Sequence, residues 1–398
     1  MAPTSNIYRS TILIHMGNEK KIALVMSGGG ARAGYQVGVL KALAEILPSE
    51  RKNPFQIICG TSAGAITAVS LAAGSGGFQQ VVADLCRDWS SLTVDQIYRC
   101  QWRDLMAGVG RLSLSLFNGG VGRERPLSLL DNSPLREMLT RSIEFSNIQK
   151  AIDAGQLSAV SITAMGYSSG ESVSFFQGRE SLKSWCRHRR SGTPDRISIE
   201  HLMASSAIPS IFPSVRINRE YFGDGALRQV APISPALHLG AEKVFVIGVS
   251  SNRNPDQWGR KRRPTKHSPS MGQIIGHMFN SAFIDGLEGD IEHLERMNEL
   301  LARVPEGQRE VDGHIMRPVE SMIVSPSAAL DAIAGRKVRY LPKALRMSLR
   351  AVGATTRGGG ATAASYLLFA KPFITELIDL GYQDTMWQRE LVEGFFEV

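Results

Sequence analysis

ICGTSAGAITA (Ile58–Ala68) places one small polar residue, Ser62, between two glycines, directly after a short apolar run and directly before a stretch of helical character. The core of the stretch spells G-x-S-x-G as Gly60-Thr61-Ser62-Ala63-Gly64. Two readings are open. A glycine-rich turn is one. The other is a sharp strand-to-helix turn that pushes a serine hydroxyl out above a sheet, with flanking glycines removing the Cβ clashes that such a turn creates. A hydroxyl in that position meets the N-terminus of the next helix, where backbone N–H groups favour developing negative charge.

The flanks set the context. FQIIC (55–59) and KIALVMS (21–27) are short apolar runs of the kind that fill a parallel sheet covered on both faces. Each run leads through glycines into helical spacing, AITAVSLAA (65–73) in one case and YQVGVLKALAEIL (35–47) in the other. Further on, SAVSITAMGYSS (158–169) and SVSFFQG (172–178) read as a strand pair, IEHLMASSAI (199–208) as a short helix ended by Pro209, and KVFVIGVS (243–250) as another buried strand. The region 78–149 reads as helical with loops. Strands alternating with helices predict an α/β fold with a mostly parallel central sheet flanked by helices. The expected division is a lead-in over 1–19, a catalytic domain over 20–250, a basic proline-containing loop over 251–270 and a mainly helical C-terminal region over 271–398.

A serine nucleophile needs a base. None of the eight histidines stands in a glycine-flanked, strand-end setting. A carboxylate does: YFGDGALRQ (221–229) sets Asp224 between Gly223 and Gly225 after an apolar strand. A hairpin turn is the competing reading for that Asp-Gly pair. The third element is MSGGGARAG (26–34), three glycines between a strand and a helix, which expose several backbone N–H groups able to hold an oxyanion. A nucleotide loop is disfavoured. The Walker lysine-serine ending is missing, and no acidic residue ends a second strand at the spacing of a dinucleotide fold.

Taken in order, SGGGARAG, GTSAG and DGA resemble the patatin-like phospholipases, and MASSAIPSIFPSV (203–215) is also similar to that family. The resemblance covers about residues 20–250. It implies a three-layer α/β/α fold and hydrolysis of lipid acyl esters by a Ser-Asp dyad, with Ser62 as nucleophile and Asp224 as base. It places Gly28, Gly29, Gly30, Arg32 and Ala63 at the oxyanion and substrate end. Ser27 departs from members with aspartate before the glycines, and Ala33-Gly34 departs from members with glycine directly after the arginine. The resemblance calls for no metal and no cofactor. Its expected partner is a phospholipid or lysophospholipid substrate. The alternatives are a hydrolase of small soluble esters and a catalytically weak membrane-surface scaffold.

Bulk properties bound the rest. A net charge of +8 and a pI near 9.4 favour anionic partners, whether phospholipid surfaces, nucleic acid or acidic metabolites, without saying which; beside the lipid substrate, an anionic membrane surface is the candidate partner, and no nucleic acid is expected. The four cysteines have no C-x-x-C spacing, which fits reduced thiols, with Cys59 a small core residue. No secretory signal and no long apolar run is read, so the expectation is a cytoplasmic protein, peripheral at the inner face of a membrane. The candidate anchor is RKVRYLPKALRMSLRAVGATTR (336–357), where Leu341, Leu345 and Leu349 would form an apolar stripe on a basic helix. GRKRRPTK (259–266) is the alternative anchor.

Overall fold

The computed structural model describes residues 20–48, 53–117, 127–250, 268, 270–311, 314–351, 353–354 and 361–398. The expected lead-in and most of the basic loop, including 259–266, lie outside the described residues. Strands are numbered in chain order: β1 (Ile22–Met26), β2 (Ile57–Thr61), β3 (Ala159–Gly166), β4 (Ser172–Gly178), β5 (Trp185–Arg187), β6 (Arg190–Pro194), β7 (Val215–Ile217), β8 (Glu220–Asp224), β9 (Lys243–Ile247), β10 (Glu310–Val311), β11 (His314–Ile315) and β12 (Glu320–Val324).

Ten of these strands form one sheet in the order β12-β9-β1-β2-β3-β4-β6-β5, with β8 paired to β3 and β7 paired to β8. The run from β12 to β3 is parallel throughout, and β4 and β8 pair antiparallel with β3. The alternation of β1 shows why an all-apolar strand belongs here. Leu24 and Met26 enter the large core on one face, while Ala23 and Val25 enter the smaller core on the other. A strand buried on both faces has no polar side to present. The fold is therefore a central, mostly parallel mixed sheet flanked by helices, with further helices in the C-terminal region.

The C-terminal region is built into this body. The strand β12 extends the sheet beside β9, pairing Glu320 with Lys243 and Val324 with Ile247. The helix Lys371–Met386 packs along α1 (Gly34–Ile46), where the Tyr35 hydroxyl donates to Asp384 Oδ2 at 3.0 Å in the buried interface. Lys243 crosses to the chain end, donating to Glu397 Oε1 at 2.7 Å and to the Phe395 carbonyl at 2.9 Å.

The leucine stripe of 336–357 turns inward. Leu341 and Leu345 are buried in the main core and Leu349 packs against it. The expected outward apolar stripe on the helix Lys343–Ala351 is thus corrected: its leucines are consumed by the core, and its exposed apolar residue is Met347.

Candidate active site

The parallel strands β1, β2 and β9 all end at one edge of the sheet, and the residues that follow them converge there. At open α/β sheets this edge is where ligands bind. After β2 the chain turns directly into α2 (Ala63–Ala72) with Ser62 at the corner. Ser62 has φ 54° and ψ −127°, a backbone region that costs an L-residue roughly 1–3 kcal/mol. The two motif glycines explain how the corner closes. A Cβ on Gly60 would stand 2.5 Å from the Gly64 carbonyl oxygen, and one on Gly64 would stand 2.5 Å from that of Met26. Side chains there would force strand and helix apart.

Ser205, on the helix Ile199–Ser205, holds the strained corner. Its Oγ accepts from the Ser62 N–H at 2.8 Å and donates to the Thr163 carbonyl at 2.6 Å. The hydroxyl of Ser62 donates to Asp224 Oδ2 at 2.6 Å, across 162 residues of sequence. Asp224 ends β8, which pairs with β3 beside β2, so the sheet carries both groups to one place. Its other oxygen, Oδ1, accepts from the Ala226 N–H at 3.0 Å.

Asp224 is completely buried, and no lysine, arginine or histidine pairs with it among the described residues. Burial pushes its carboxyl up to about 7, while the Ser62 hydroxyl and the Ala226 N–H pull the other way. A carboxyl poised there changes state near neutral pH, as a general base should. No histidine hydrogen-bonds to Ser62 among the described residues. His201, on the helix that supplies Ser205, instead faces Ser198 at 3.0 Å and Asp195 at 3.4 Å.

The glycine loop after β1 lies against this pair. A Cβ on Gly28 would be 3.1 Å from Ser62 Cβ, and Gly30 has φ +54° with its α-carbon against the Tyr366 carbonyl. The N–H groups of Gly28, Gly29, Gly30, Ala31 and Ala63 donate to no protein acceptor among the described residues. Those free donors beside Ser62 are what a developing oxyanion needs. The backbone of Arg32 continues this loop, but its side chain turns away. The buried guanidinium donates from Nε to Ser365 Oγ at 2.7 Å and sits 4.2 Å from the centre of the Tyr366 ring. Arg32 therefore braces the C-terminal helix Ala361–Leu367 against the glycine loop.

Ser62 opens onto an apolar cavity of about 210 Å³, with Ile66, Leu85, Trp89, Leu139, Ile208 and Phe212 among its walls. Tyr366 and Phe369, from the C-terminal region, complete it. The Phe283 ring packs on Gly28 and lies 4.9 Å from the Tyr366 ring, and Ser62 is only 2% exposed. Of the site-forming residues, Ser205, Phe283, Tyr366 and Phe369 were not identified from the sequence. MASSAIP contains Ser205 with no local sign of its role, and nothing local marks Phe283 or Tyr366.

Comparison with known proteins follows the same lines. A family model described as Patatin-like phospholipase matches residues 24–237. A curated relative from Pseudomonas aeruginosa (strain BWHPSA011 / Pa011), named cGAMP-activated phospholipase, is 28% identical over 216 residues, covering 54% of this chain and 55% of that protein. The chain thus spans about half the length of that relative. Among solved structures, human GIVD cytosolic phospholipase A2 aligns with a TM-score of 0.40 and 10% identity, over 95% of this chain and 60% of that one. VipD from Legionella pneumophila aligns with a TM-score of 0.32 and 12% identity, over 94% and 67%. The family match spans more than half of the sequence and encloses the serine corner, the aspartate turn and the glycine loop, and the chain belongs to the patatin-like phospholipase family.

Proposed function

We propose that this chain is a lipid acyl hydrolase of phospholipase A or lysophospholipase type, working through Ser62 and Asp224. The observation that carries the reading is the 2.6 Å hydrogen bond from the Ser62 hydroxyl to a buried carboxylate, at the mouth of an apolar cavity.

In the proposed reaction, Asp224 takes the proton of Ser62 Oγ as that oxygen attacks the ester carbonyl. The negative charge that develops on the carbonyl oxygen is met by free N–H groups of the 28–31 loop and by that of Ala63. Collapse of the tetrahedral species breaks the ester bond, and the proton on Asp224 goes to the departing alcohol. Water then gives a proton to Asp224 and attacks the acyl-serine, releasing a fatty acid and restoring both groups. Asp224 does alone what a histidine and its orienting carboxylate share in a triad. Its burial supports this role, since an ordinary surface carboxylate is too weak a base at neutral pH.

The cavity walls favour a hydrocarbon chain over a small polar acyl group, which sets the lipid reading above that of a soluble-ester hydrolase. The intact serine-aspartate pair weighs against a scaffold. Hydrolysis of mixed phospholipid micelles by wild type and Ser62→Ala tests the proposal. Release of fatty acid should fall by at least about a hundredfold in the variant; equal release would end this reading.

A further inference from the structure

Two helices near the site carry large apolar side chains on the surface that faces water. The helix Met271–Asn280 turns its glycines inward: Gly272 packs on Ala354 and Gly276 on Thr362. Phe279 packs on the core, whereas Met271, Ile274 and Met278, spaced three and four apart on one face, are exposed, Met278 at 66%. The helix Trp102–Phe117 repeats the arrangement. It buries Leu105 and seats Gly108 against the Leu129 carbonyl, while Trp102, Met106 and Phe117 are exposed, Phe117 at 88%. An ordinary surface helix does the opposite.

The two are joined by a third. The helix Lys343–Ala351 packs against Trp102–Phe117, and at its end the Ser270 hydroxyl donates to the Gly353 carbonyl at 3.1 Å, tying it to the start of Met271–Asn280. Met347 adds an exposed side chain on this third helix. The charge on the three helices is one-sided. They carry Arg103, Arg111, Lys343, Arg346 and Arg350, and Asp104 is their sole acidic residue. Clustered exposed apolar side chains with a basic surround fit an anionic lipid interface. Among the described residues no helix is long and apolar enough to cross a membrane.

We propose that Trp102–Phe117, Met271–Asn280 and Met347 form one face that docks on an anionic phospholipid bilayer. The proposal rests on the lipid-hydrolase reading, because an enzyme that takes bilayer lipids must meet the bilayer. The face is linked to the site along the chain. Gln96 and Ile97 of the cavity wall lie just before Trp102, and Met271–Asn280 runs on into the π-helical stretch Ser281–Asp285 that carries Phe283, whose ring packs on Gly28. Apolar side chains enter the acyl layer, while Arg103, Arg111, Lys343 and Arg350, all exposed, meet phosphate groups.

Flotation with vesicles of phosphatidylcholine, with and without phosphatidylglycerol, tests this. Wild type should float with the anionic vesicles and be released as salt rises. The exposed double substitution Phe117→Glu with Met278→Glu should lower binding by at least about tenfold, and Phe117→Leu with Met278→Leu should keep it. Turnover of a monomeric butyrate ester should stay within about twofold in both, showing that the fold is intact. Loss of ester turnover in wild type would sink the catalytic reading and leave the flotation result standing. Glu variants that float like wild type, or wild type that floats equally on neutral vesicles, would overturn the docking face. So would a change from oligomer to monomer in the Glu variants, seen by sedimentation, with vesicle binding unaltered.

Discussion

Asp224→Asn should inactivate the protein and, above neutral pH, make it more stable. The carboxyl sits completely buried with no cationic partner among the described residues, and burial lifts it from an ordinary 3.8 to about 7. The folded state therefore holds this proton more tightly than the unfolded chain does. Stability from this group is fully present below pH 3.8 and declines as pH rises through the window up to about 7. At about 1.36 kcal/mol for each pH step, the ionised form costs on the order of 4 kcal/mol at pH 8. Asparagine keeps the shape and carries no charge, so it escapes that cost while losing part of the bond to Ser62. The expected outcome is a melting temperature several degrees above wild type at pH 8, at roughly 2–4 °C for each kcal/mol regained, with the gap closing towards pH 4. The same titration predicts that wild-type kcat/KM on a soluble ester falls about tenfold per pH step below pH 7. Calorimetry and a pH–rate profile read both. A flat wild-type profile between pH 5 and 8, or a variant equally destabilised at every pH, would refute the reasoning.

Other perturbations follow from the same geometry. Ser205→Ala removes the acceptor for the Ser62 N–H and leaves a buried donor unpaired, so stability should drop by about 1–3 kcal/mol; kcat should fall while KM holds, and an unchanged kcat would show that Ser205 does not position the corner. Met138 and Gln96 line both the apolar cavity and an adjoining polar hollow that also contains Arg99 and Arg141. Met138→Trp should therefore shift the preferred ester towards shorter chains by at least about tenfold in the ratio of kcat/KM values, read with a series of acyl nitrophenyl esters; an unmoved ratio would place the chain elsewhere.

Elements whose signal is local are legible in the sequence. The mainly apolar β1, β2 and β9 and the Ser62 corner follow from local run length and glycine placement. Asp224 stood out because its flanking glycines repeat the pattern of the serine motif. What escaped depends on distant partners. ESMIV (Glu320–Val324) is a short run between Pro318 and Pro326 that opens on a charged residue, and its place as β12 depends on pairing with β9, more than 70 residues earlier in the chain. Arg32 was read with the oxyanion loop, yet its guanidinium finds Ser365, 333 residues away. The leucines of 336–357 have the spacing of an interfacial helix and equally of a core-facing one, and periodicity alone cannot say which side is water. Conversely, the exposed methionines of Met271–Asn280 became informative only once their glycine face was seen against Ala354 and Thr362.

The central claim is that Ser62 attacks as a nucleophile with Asp224 as its base, and covalent trapping tests it most directly. A fluorophosphonate carrying a long alkyl chain should add to wild-type protein, with the adduct found by peptide mass spectrometry on Ser62 and at a rate that rises through pH 7. Ser62→Ala should take up no label, and Asp224→Asn should label at least about a hundredfold more slowly. An adduct on another residue, or undiminished labelling of Asp224→Asn, would contradict the account.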